Sequence, residues 1–182
     1  MSAPIPPNEQ ARLEALRSYG ILDSEAEDEF DAITRLAAYL CGTPIALISL
    51  VDDTRQWFKS KVGLELAETP RDLSFCAHTI LQSEPLVVPD AKKDARFSQN
   101  PLVMSDPNIR FYVGMPLQNE KGLGLGSLCV IDKTPRQLAP AQMEGLKVLG
   151  KAVVTHLQLR RALNLLDDYR RHTARLTAGS PL

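Results

Sequence analysis

The chain has 182 residues, of which 44% are hydrophobic and 24% are charged, and its formal net charge is −1. This length fits one domain with an appended element, and the balanced charge gives no reason to expect nucleic acid or a membrane surface as a partner. Its cysteines, Cys41, Cys76 and Cys129, are odd in number and widely spaced, which argues against a disulfide framework. No CxxC or HxxxH spacing occurs, so we predict no metal site.

The N-terminus has no basic segment followed by an apolar one, so no signal peptide is predicted. The longest apolar runs, such as residues 44–51, are far too short to span a bilayer. We therefore expect a cytoplasmic protein. Residues 1–7 hold three prolines and are expected to form an extended N-terminal arm.

Two helices are predicted next. Apolar residues recur at three-residue spacing from Asn8, and Gly20 is a plausible end for the first helix. Asp23 and Ser24, followed by Glu27, form a possible capping box for a second helix. Its apolar stripe is helical in period and Gly42 would end it; the stripe comprises Phe30, Ile33, Leu36, Ala37 and Leu40.

The hydrophobic period then changes to that of strands. Residues 45–51 predict a buried strand, residues 52–54 a turn, and residues 56–62 its hairpin partner. Simple alternation assigns the side chains of this partner to two faces, with Trp57, Lys59 and Lys61 on one face and Phe58, Ser60 and Val62 on the other. Residues 63–72 are expected to be a connecting loop.

Ser74 is predicted to cap a short helix over residues 75–82, and a short strand over residues 86–89 follows. Residues 90–107 form a long polar segment, and long loops in compact domains are often functional. Strands over 109–117 and 126–131 would make an antiparallel hairpin. Gly114 indicates a close approach by another backbone or a ligand.

Residues 139–176 predict one helix about 55 Å long, longer than a small domain is wide. Its outer half cannot pack entirely on its own domain and needs a partner helix. The residues with near-heptad spacing are Leu149, Val153, His156, Leu163, Leu166 and Leu176. Strands in the middle and helices at both chain ends predict an α+β fold with an antiparallel sheet and helices on one face.

Cys76 and His78 attract attention as candidate chemistry. Residues two apart on a helix point about 200° apart, which opposes both a nucleophilic pair and a shared metal. The plain interpretation places Cys76 in the core and His78 towards the sheet or a pocket. A reactive thiol is the alternative.

The long polar segment and the strand after it carry two more candidates. Arg96, next to Phe97, could bind an anion with its planar guanidinium group. Alternatively the loop is self-contained, with Asp90 or Asp94 paired to Arg96 and Asn100 capping a turn. Arg110 and Tyr112 share one face of their strand and could line a pocket or lie at a wet sheet edge.

Enzyme signatures are weak in this sequence. The GxGxG spacing of residues 122–126 precedes a strand, so hairpin glycines explain it better than a phosphate-binding loop. We find no Ser/His/Asp set, no supported carboxylate pair and no P-loop, and therefore expect no catalysis by this chain.

Four segments in order, RDLSFCAHTI, PLVVPDAKKDARFSQNPLV, IRFYVGMPL and LGSLCVIDKTPRQL, resemble a GAF domain. The resemblance covers residues 8–159 and is to the bacterial kind found with histidine kinase or diguanylate cyclase modules. It implies a five- to six-stranded antiparallel sheet with the terminal helices on one face and a loop-covered pocket on the other. Residues 160–182 would then be a signalling helix that dimerises.

The resemblance does not identify a ligand. Bilin-binding members attach the chromophore to a Cys directly followed by His, and here Ala77 intervenes, so a bilin is disfavoured. The dispersed signature of cyclic-nucleotide-binding members is not found, so a cyclic nucleotide is disfavoured too. Members that reduce free methionine sulfoxide use cysteines, but Cys129 sits in an apolar strand, a poor place for an attacking thiolate.

We therefore expect a homodimeric sensory or regulatory domain of bacterial signal transduction that binds an unidentified small molecule. Its pocket state would be relayed through paired C-terminal helices to a kinase or cyclase module. A thiol-based reductase using Cys76 and a ligand-free dimerisation module are the alternatives. The expected ligand-lining residues are Cys76, His78, Arg96, Phe97, Arg110 and Tyr112.

Overall fold

The computed structural model describes residues 3–178 and contains one six-stranded antiparallel sheet with strand order β3-β2-β1-β6-β5-β4. The strands are β1 (Ile45–Val51), β2 (Arg55–Val62), β3 (Glu68–Pro70), β4 (Leu86–Val88), β5 (Phe111–Gln118) and β6 (Gly124–Asp132). The helices are α1 (Glu9–Ser18), α2 (Asp28–Cys41), α3 (Phe75–Thr79), α4 (Pro101–Met104) and α5 (Pro140–Ala178). The predicted α+β architecture is confirmed.

Helix α2 begins differently from the prediction. Its N-cap residue is Glu27, which makes no side-chain cap, so the predicted capping box is wrong. Asp23 has a left-handed backbone with φ of 58°, and the Ser24 hydroxyl donates to the carbonyl oxygen of Ile21. The helix ends as predicted, because Gly42 adopts the left-handed conformation that glycine favours.

A β-bulge changes the facing of β2. The register between β1 and β2 shifts so that Ser60 pairs with Ile48 and Phe58 with Ser49, which leaves Lys59 as the extra residue. The predicted alternation is therefore wrong from Ser60 onwards, whereas Lys59 lies on the helical side with Trp57 as predicted. Ser60, whose hydroxyl donates to Asp31 of α2, lies on the helical side, opposite Phe58.

Two segments predicted as loops contain regular structure. Residues 68–70 form the edge strand β3, which pairs with residues 55–57 of β2. Three residues were too few for the alternation pattern to detect. The polar segment 90–107 contains a 3-10 turn at Ala91–Lys93 and the short helix α4. Ser74 caps α3 as predicted by accepting from the amide of Ala77, but the helix ends at Thr79 and not at residue 82.

The sheet separates two hydrophobic cores. On one face lie α1, α2 and the first half of α5, and their apolar residues pack with inward residues such as Ile48, Phe111 and Val113. On the other face lie α3 and the segment 90–107, which cover Leu47, Tyr112 and Cys129. Burial of both faces explains why β1 and β6 are buried at every residue.

Ion pairs fasten α1 across the end of the sheet. Arg12 is 1% exposed and donates to the carbonyl oxygen of Val51 at 2.7 Å. Glu9 accepts from Arg12 and from Arg71, which lies just before α3. Burial raises the pKa of Glu9, but the two guanidinium groups outweigh that effect and lower it to about 2. The N-terminal helix is thus tied to the entry of α3.

Helix α5 has 39 residues, which corresponds to about 58 Å. Leu146, Val153 and Leu157 are buried against the domain, whereas the apolar residues from Leu159 to Tyr169 are exposed. The predicted outer half therefore leaves these apolar side chains exposed, although Arg160 bonds to Glu27 and Asn164 donates to the Tyr19 carbonyl oxygen. The side chain of Leu176 lies outside the described residues. Among residues 3–178, no helix is both long enough and apolar enough to cross a bilayer.

Candidate functional site

A buried polar cluster lies between α3 and the sheet. The Cys76 sulfur is 3.8 Å from the Cys129 sulfur, and the Tyr112 hydroxyl donates to Cys76 at 3.3 Å. Cys76 is 2% exposed, and Cys129 and Tyr112 are fully buried. Helix α3 supplies Cys76, β6 supplies Cys129 and β5 supplies Tyr112, so three separate elements build this cluster.

Hydroxyl groups complete the cluster. The Tyr112 hydroxyl lies 2.7 Å from the hydroxyl of Thr79 and 3.4 Å from that of Ser127. Ser49 pairs with Ser127 across β1 and β6, and its buried hydroxyl makes no normal hydrogen bond to any other residue in the described part of the chain. Gly114 is closely approached by side chains and not by the backbone or ligand that was predicted, because a Cβ there would lie 2.2 Å from the Tyr112 hydroxyl.

The cluster shifts the pKa values of its two thiols in opposite directions. Burial raises the pKa of the Cys76 thiol, but the surrounding thiol and hydroxyl donors, Cys129 first among them, outweigh burial and lower it to about 6. The pKa of Cys129 is raised well above its ordinary value, first by its interaction with Cys76 and then by burial. Burial likewise raises the pKa of Tyr112. The arrangement favours one thiolate, at Cys76, held by neutral donors.

Aromatic side chains fill the space beneath α3. The rings of Phe75 and Phe97 are stacked, with centroids 3.9 Å apart, and Tyr112 packs against Phe75 at 5.1 Å. His78 is half-buried and meets Phe97 edge-on at 4.8 Å. Cys76, His78, Phe97 and Tyr112 are therefore brought together. Cys76 contacts Cys129 whereas His78 contacts Phe97, in line with the divergent directions expected for residues two apart on a helix.

The two predicted arginines are each paired with an aspartate. Arg96 forms a two-pronged ion pair with Asp94 and stacks over Phe97 at 5.1 Å. Arg110 forms a similar pair with Asp90, with bonds of 2.8 and 2.9 Å. The pKa values of both aspartates are lowered, first by these hydrogen bonds. The self-contained loop interpretation is confirmed, since Asn100 also caps α4.

An apolar slot lies beside the thiol cluster, on the same face of the sheet. Its volume is about 40 Å³, and residues 63–67 and α4 border it on the outer side. Nearly all of its lining is aliphatic or aromatic. The lining residues are Ile45, Leu47, Gln56, Phe58, Leu64, Leu66, Thr69, Leu102, Pro107, Ile109 and Ile131. We call this cavity the β-face slot.

The polar end of the β-face slot was not predicted from the sequence. Gln56 donates to Thr69 at 3.2 Å and accepts from Ser74, the cap of α3. Thr69 lies on β3, the strand that was not predicted, so nothing in the sequence placed it opposite Gln56. The available signal was a Gln next to Trp57 and Phe58 in a predicted strand, because a buried amide side chain needs a partner. Gln56 thus connects the slot to the helix that carries Cys76.

Within residues 3–178, no cluster of three or more His, Cys, Asp or Glu side chains is arranged to hold a metal ion.

Comparison with known proteins agrees with the architecture. The model of the GAF domain family matches residues 25–157. A cyclic di-GMP phosphodiesterase from Pseudomonas aeruginosa is 42% identical over 166 residues, which is 91% of this chain. The chain spans only 28% of the length of that relative.

Solved structures show the same fold. The GAF domain of an Acinetobacter phosphoenolpyruvate-protein phosphotransferase superposes with a TM-score of 0.63 at 18% identity, covering 86% of this chain and 96% of that one. A free methionine-R-sulfoxide reductase from Neisseria meningitidis has a TM-score of 0.60 at 15% identity, covering 90% and 98%. The chain therefore belongs to the GAF domain family.

Proposed function

We propose that this chain senses a small molecule at the β-face slot and relays its presence through α5. The observation that carries the proposal is the slot itself, an apolar cavity with the Gln56–Thr69 pair at one end. Ligand sites are typically apolar cavities with a few polar groups that fix orientation. A cavity of about 40 Å³ holds only a few water molecules. A larger ligand would enter by displacing residues 63–67 and α4, where Leu66 is 52% exposed.

Native mass spectrometry of protein purified from its own host tests ligand capture. We expect an excess mass that disappears when the same sample is denatured. Ile131→Phe, which fills the slot, should abolish that excess. Val87→Phe, at a 40% exposed position on β4, should retain it. Equal capture by both variants would contradict the slot as the site, and an excess that survives denaturation would mean covalent attachment.

A chain of contacts supports the relay. Phe58 lines the slot, and the next residue is Lys59, the bulge residue, whose fully buried side chain bonds to Glu27 at 2.6 Å. Glu27 also accepts from Arg160 of α5. A ligand that displaces Phe58 would move Lys59 and so alter the hold of Glu27 on α5. We infer a population shift between two positions of α5.

Pairing of α5 with a second copy is the proposed output geometry. Leu159, Leu163 and Leu166 are 45–55% exposed and lie at spacings of four and three, which places them on one helical face. We call this face the α5 seam. Pairing the seams of two copies would bury apolar surface that water now contacts. Charges of both signs follow the seam, including Asp167 and Arg171, so no single sign of charge opposes association.

Sedimentation equilibrium tests this pairing. The full chain should be dimeric, and a chain truncated after Leu159 should be monomeric. Leu163→Asp with Leu166→Asp should also give monomers, whereas Leu165→Asp, exposed but off the seam, should remain dimeric. A truncated chain that stayed dimeric would show that α5 is not the interface, and a monomeric full chain would exclude self-association altogether.

A kinase or cyclase module remains the expected recipient of the signal. The relative from Pseudomonas aeruginosa is named a cyclic di-GMP phosphodiesterase, and most of its length lies outside the matched region. That likeness supports an output module that acts on cyclic di-GMP, in the same polypeptide or in a partner. A cytoplasmic location is compatible with a kinase module and with a module that acts on cyclic di-GMP.

A thiol-based reductase is the second candidate function, favoured by the Cys76–Cys129 pair and by the likeness in fold to a free methionine-R-sulfoxide reductase. It predicts turnover of free methionine sulfoxide with dithiothreitol, and loss of that turnover in Cys76→Ser. The sensory proposal predicts no turnover in either protein. The burial of Cys76, which is 2% exposed, speaks for the sensory proposal, because a substrate of that size could reach the sulfur only if α3 moved.

A further inference from the structure

We propose that Cys76 and Cys129 are a redox-responsive pair that closes into a disulfide within the domain when a small peroxide reaches it. The two sulfurs face each other at 3.8 Å although the residues are 53 positions apart in sequence. Both are free thiols in this structure. The inference does not depend on a ligand in the β-face slot.

Formation of this disulfide requires only a small movement of the two sulfurs. A disulfide has a sulfur–sulfur bond of about 2.05 Å, so the sulfurs must approach by roughly 1.8 Å. Cys129 is fixed in β6, which is paired on both sides by β1 and β5. Cys76 lies on α3, a helix of only five residues, so α3 is the element that can shift.

The surroundings favour reaction at Cys76. The thiolate is the form that attacks peroxides, and the donors around Cys76 stabilise that form. The Tyr112 hydroxyl, 3.3 Å from the Cys76 sulfur, provides a neutral polar contact without a competing charge. Cys41 differs, because it lies in the other core, where burial raises the pKa of its thiol to about 11.

The chemistry balances with hydrogen peroxide as the oxidant. The Cys76 thiolate attacks one peroxide oxygen, the O–O bond breaks, and the departing hydroxide takes a proton to become water. Cys76 is then a sulfenic acid. The Cys129 sulfur attacks the Cys76 sulfur, the S–O bond breaks, and hydroxide leaves with the proton of Cys129 as a second water. Two thiols are oxidised to one disulfide while one peroxide is reduced to two waters.

Formation of the disulfide would alter the face of the sheet that carries the β-face slot. Cys76 would be drawn towards β6 and away from the Tyr112 hydroxyl. Because Ser74 caps α3 and also bonds to Gln56, a shift of α3 would reach the polar end of the β-face slot. The domain would then report oxidant as well as its ligand.

Counting thiols in the full chain tests the proposal. The folded protein is treated with a small excess of hydrogen peroxide, quenched in acid, unfolded, and alkylated with N-ethylmaleimide. We expect three adducts before oxidation and one afterwards, with a peptide that joins Cys76 to Cys129 and three adducts again after dithiothreitol. Three adducts after peroxide, a disulfide that includes Cys41, or added oxygen in place of lost hydrogens would each overturn it.

Variants assign the roles of the two sulfurs. Cys129→Ser should leave Cys76 as a sulfenic acid that dimedone labels, and Cys76→Ser should keep both remaining thiols alkylatable. Cys41→Ser is the matched control and should still form the disulfide. Oxidation of Cys76→Ser at the wild-type rate would refute Cys76 as the attacking thiol. If Cys76→Ser failed to fold, the peptide map of the wild-type chain would decide the question by itself.

Discussion

Replacing Glu27 with Gln should destabilise the domain by about 2 kcal/mol. The change removes the countercharge of Lys59, whose side chain is fully buried, and the partner of Arg160. Truncating one partner of a buried ion pair typically costs ~3–5 kcal/mol. Here the cost is smaller because Glu27 is 30% exposed and Lys59 keeps Ser24 and the Glu25 carbonyl as acceptors.

Urea unfolding at pH 7 measures this difference, with all proteins at equal concentration because self-association would add to apparent stability. The matched control is Glu144→Gln, which breaks an ion pair with Lys147 on the surface of α5, where the two side chains are 69% and 42% exposed. That control should cost less than about 0.5 kcal/mol. A Glu27→Gln protein no less stable than Glu144→Gln would refute the view that Lys59 depends on Glu27.

Three further substitutions test the packing around the site. Glu9→Gln leaves Arg12 without its countercharge and should cost about 3 kcal/mol at pH 7. Since the folded pKa of Glu9 is about 2, below its ordinary 4.5, the stabilisation is complete above pH 4.5, and the difference in urea midpoint should shrink as pH falls towards 2; a constant difference would contradict this. Gly114→Ala should cost about 2 kcal/mol in urea unfolding, because its Cβ would collide with the Tyr112 hydroxyl, and a neutral result would mean that Tyr112 moves freely. Phe97→Ala should lower the unfolding free energy by about 4 kcal/mol, since the ring is fully buried and stacked, and a loss below about 1 kcal/mol would show that the loop is not part of the core.

The fold was predictable where hydrophobic period and local capping agree. Three features could be predicted from residues close together in sequence. They are the apolar stripe of α2 with its end at Gly42, strand β1, and the Ser74 cap of α3. The bulge at Lys59 was not predictable, because a bulge depends on pairing with β1 and leaves no trace in alternation. The facing of every later residue of β2 was therefore misassigned.

The candidate site was likewise predictable only in part. Phe97 and Tyr112 were predicted only as ligand-lining residues, and the structure packs both rings against Phe75 of α3. The contact between Cys76 and Cys129 was not predictable, since it joins a helix to a strand 53 residues away. The β-face slot depends on Thr69 in a three-residue edge strand, which is too short to carry a pattern.

Hydrogen–deuterium exchange along α5 tests the relay most directly. The backbone amides of residues 160–178 are compared between protein that retains its captured ligand and the same protein refolded without it, in the wild type and in Glu27→Gln. The account predicts that ligand changes the exchange of these amides in the wild type, and that the change is lost in Glu27→Gln. Equal exchange with and without ligand in the wild type would contradict the claim that the slot communicates with α5.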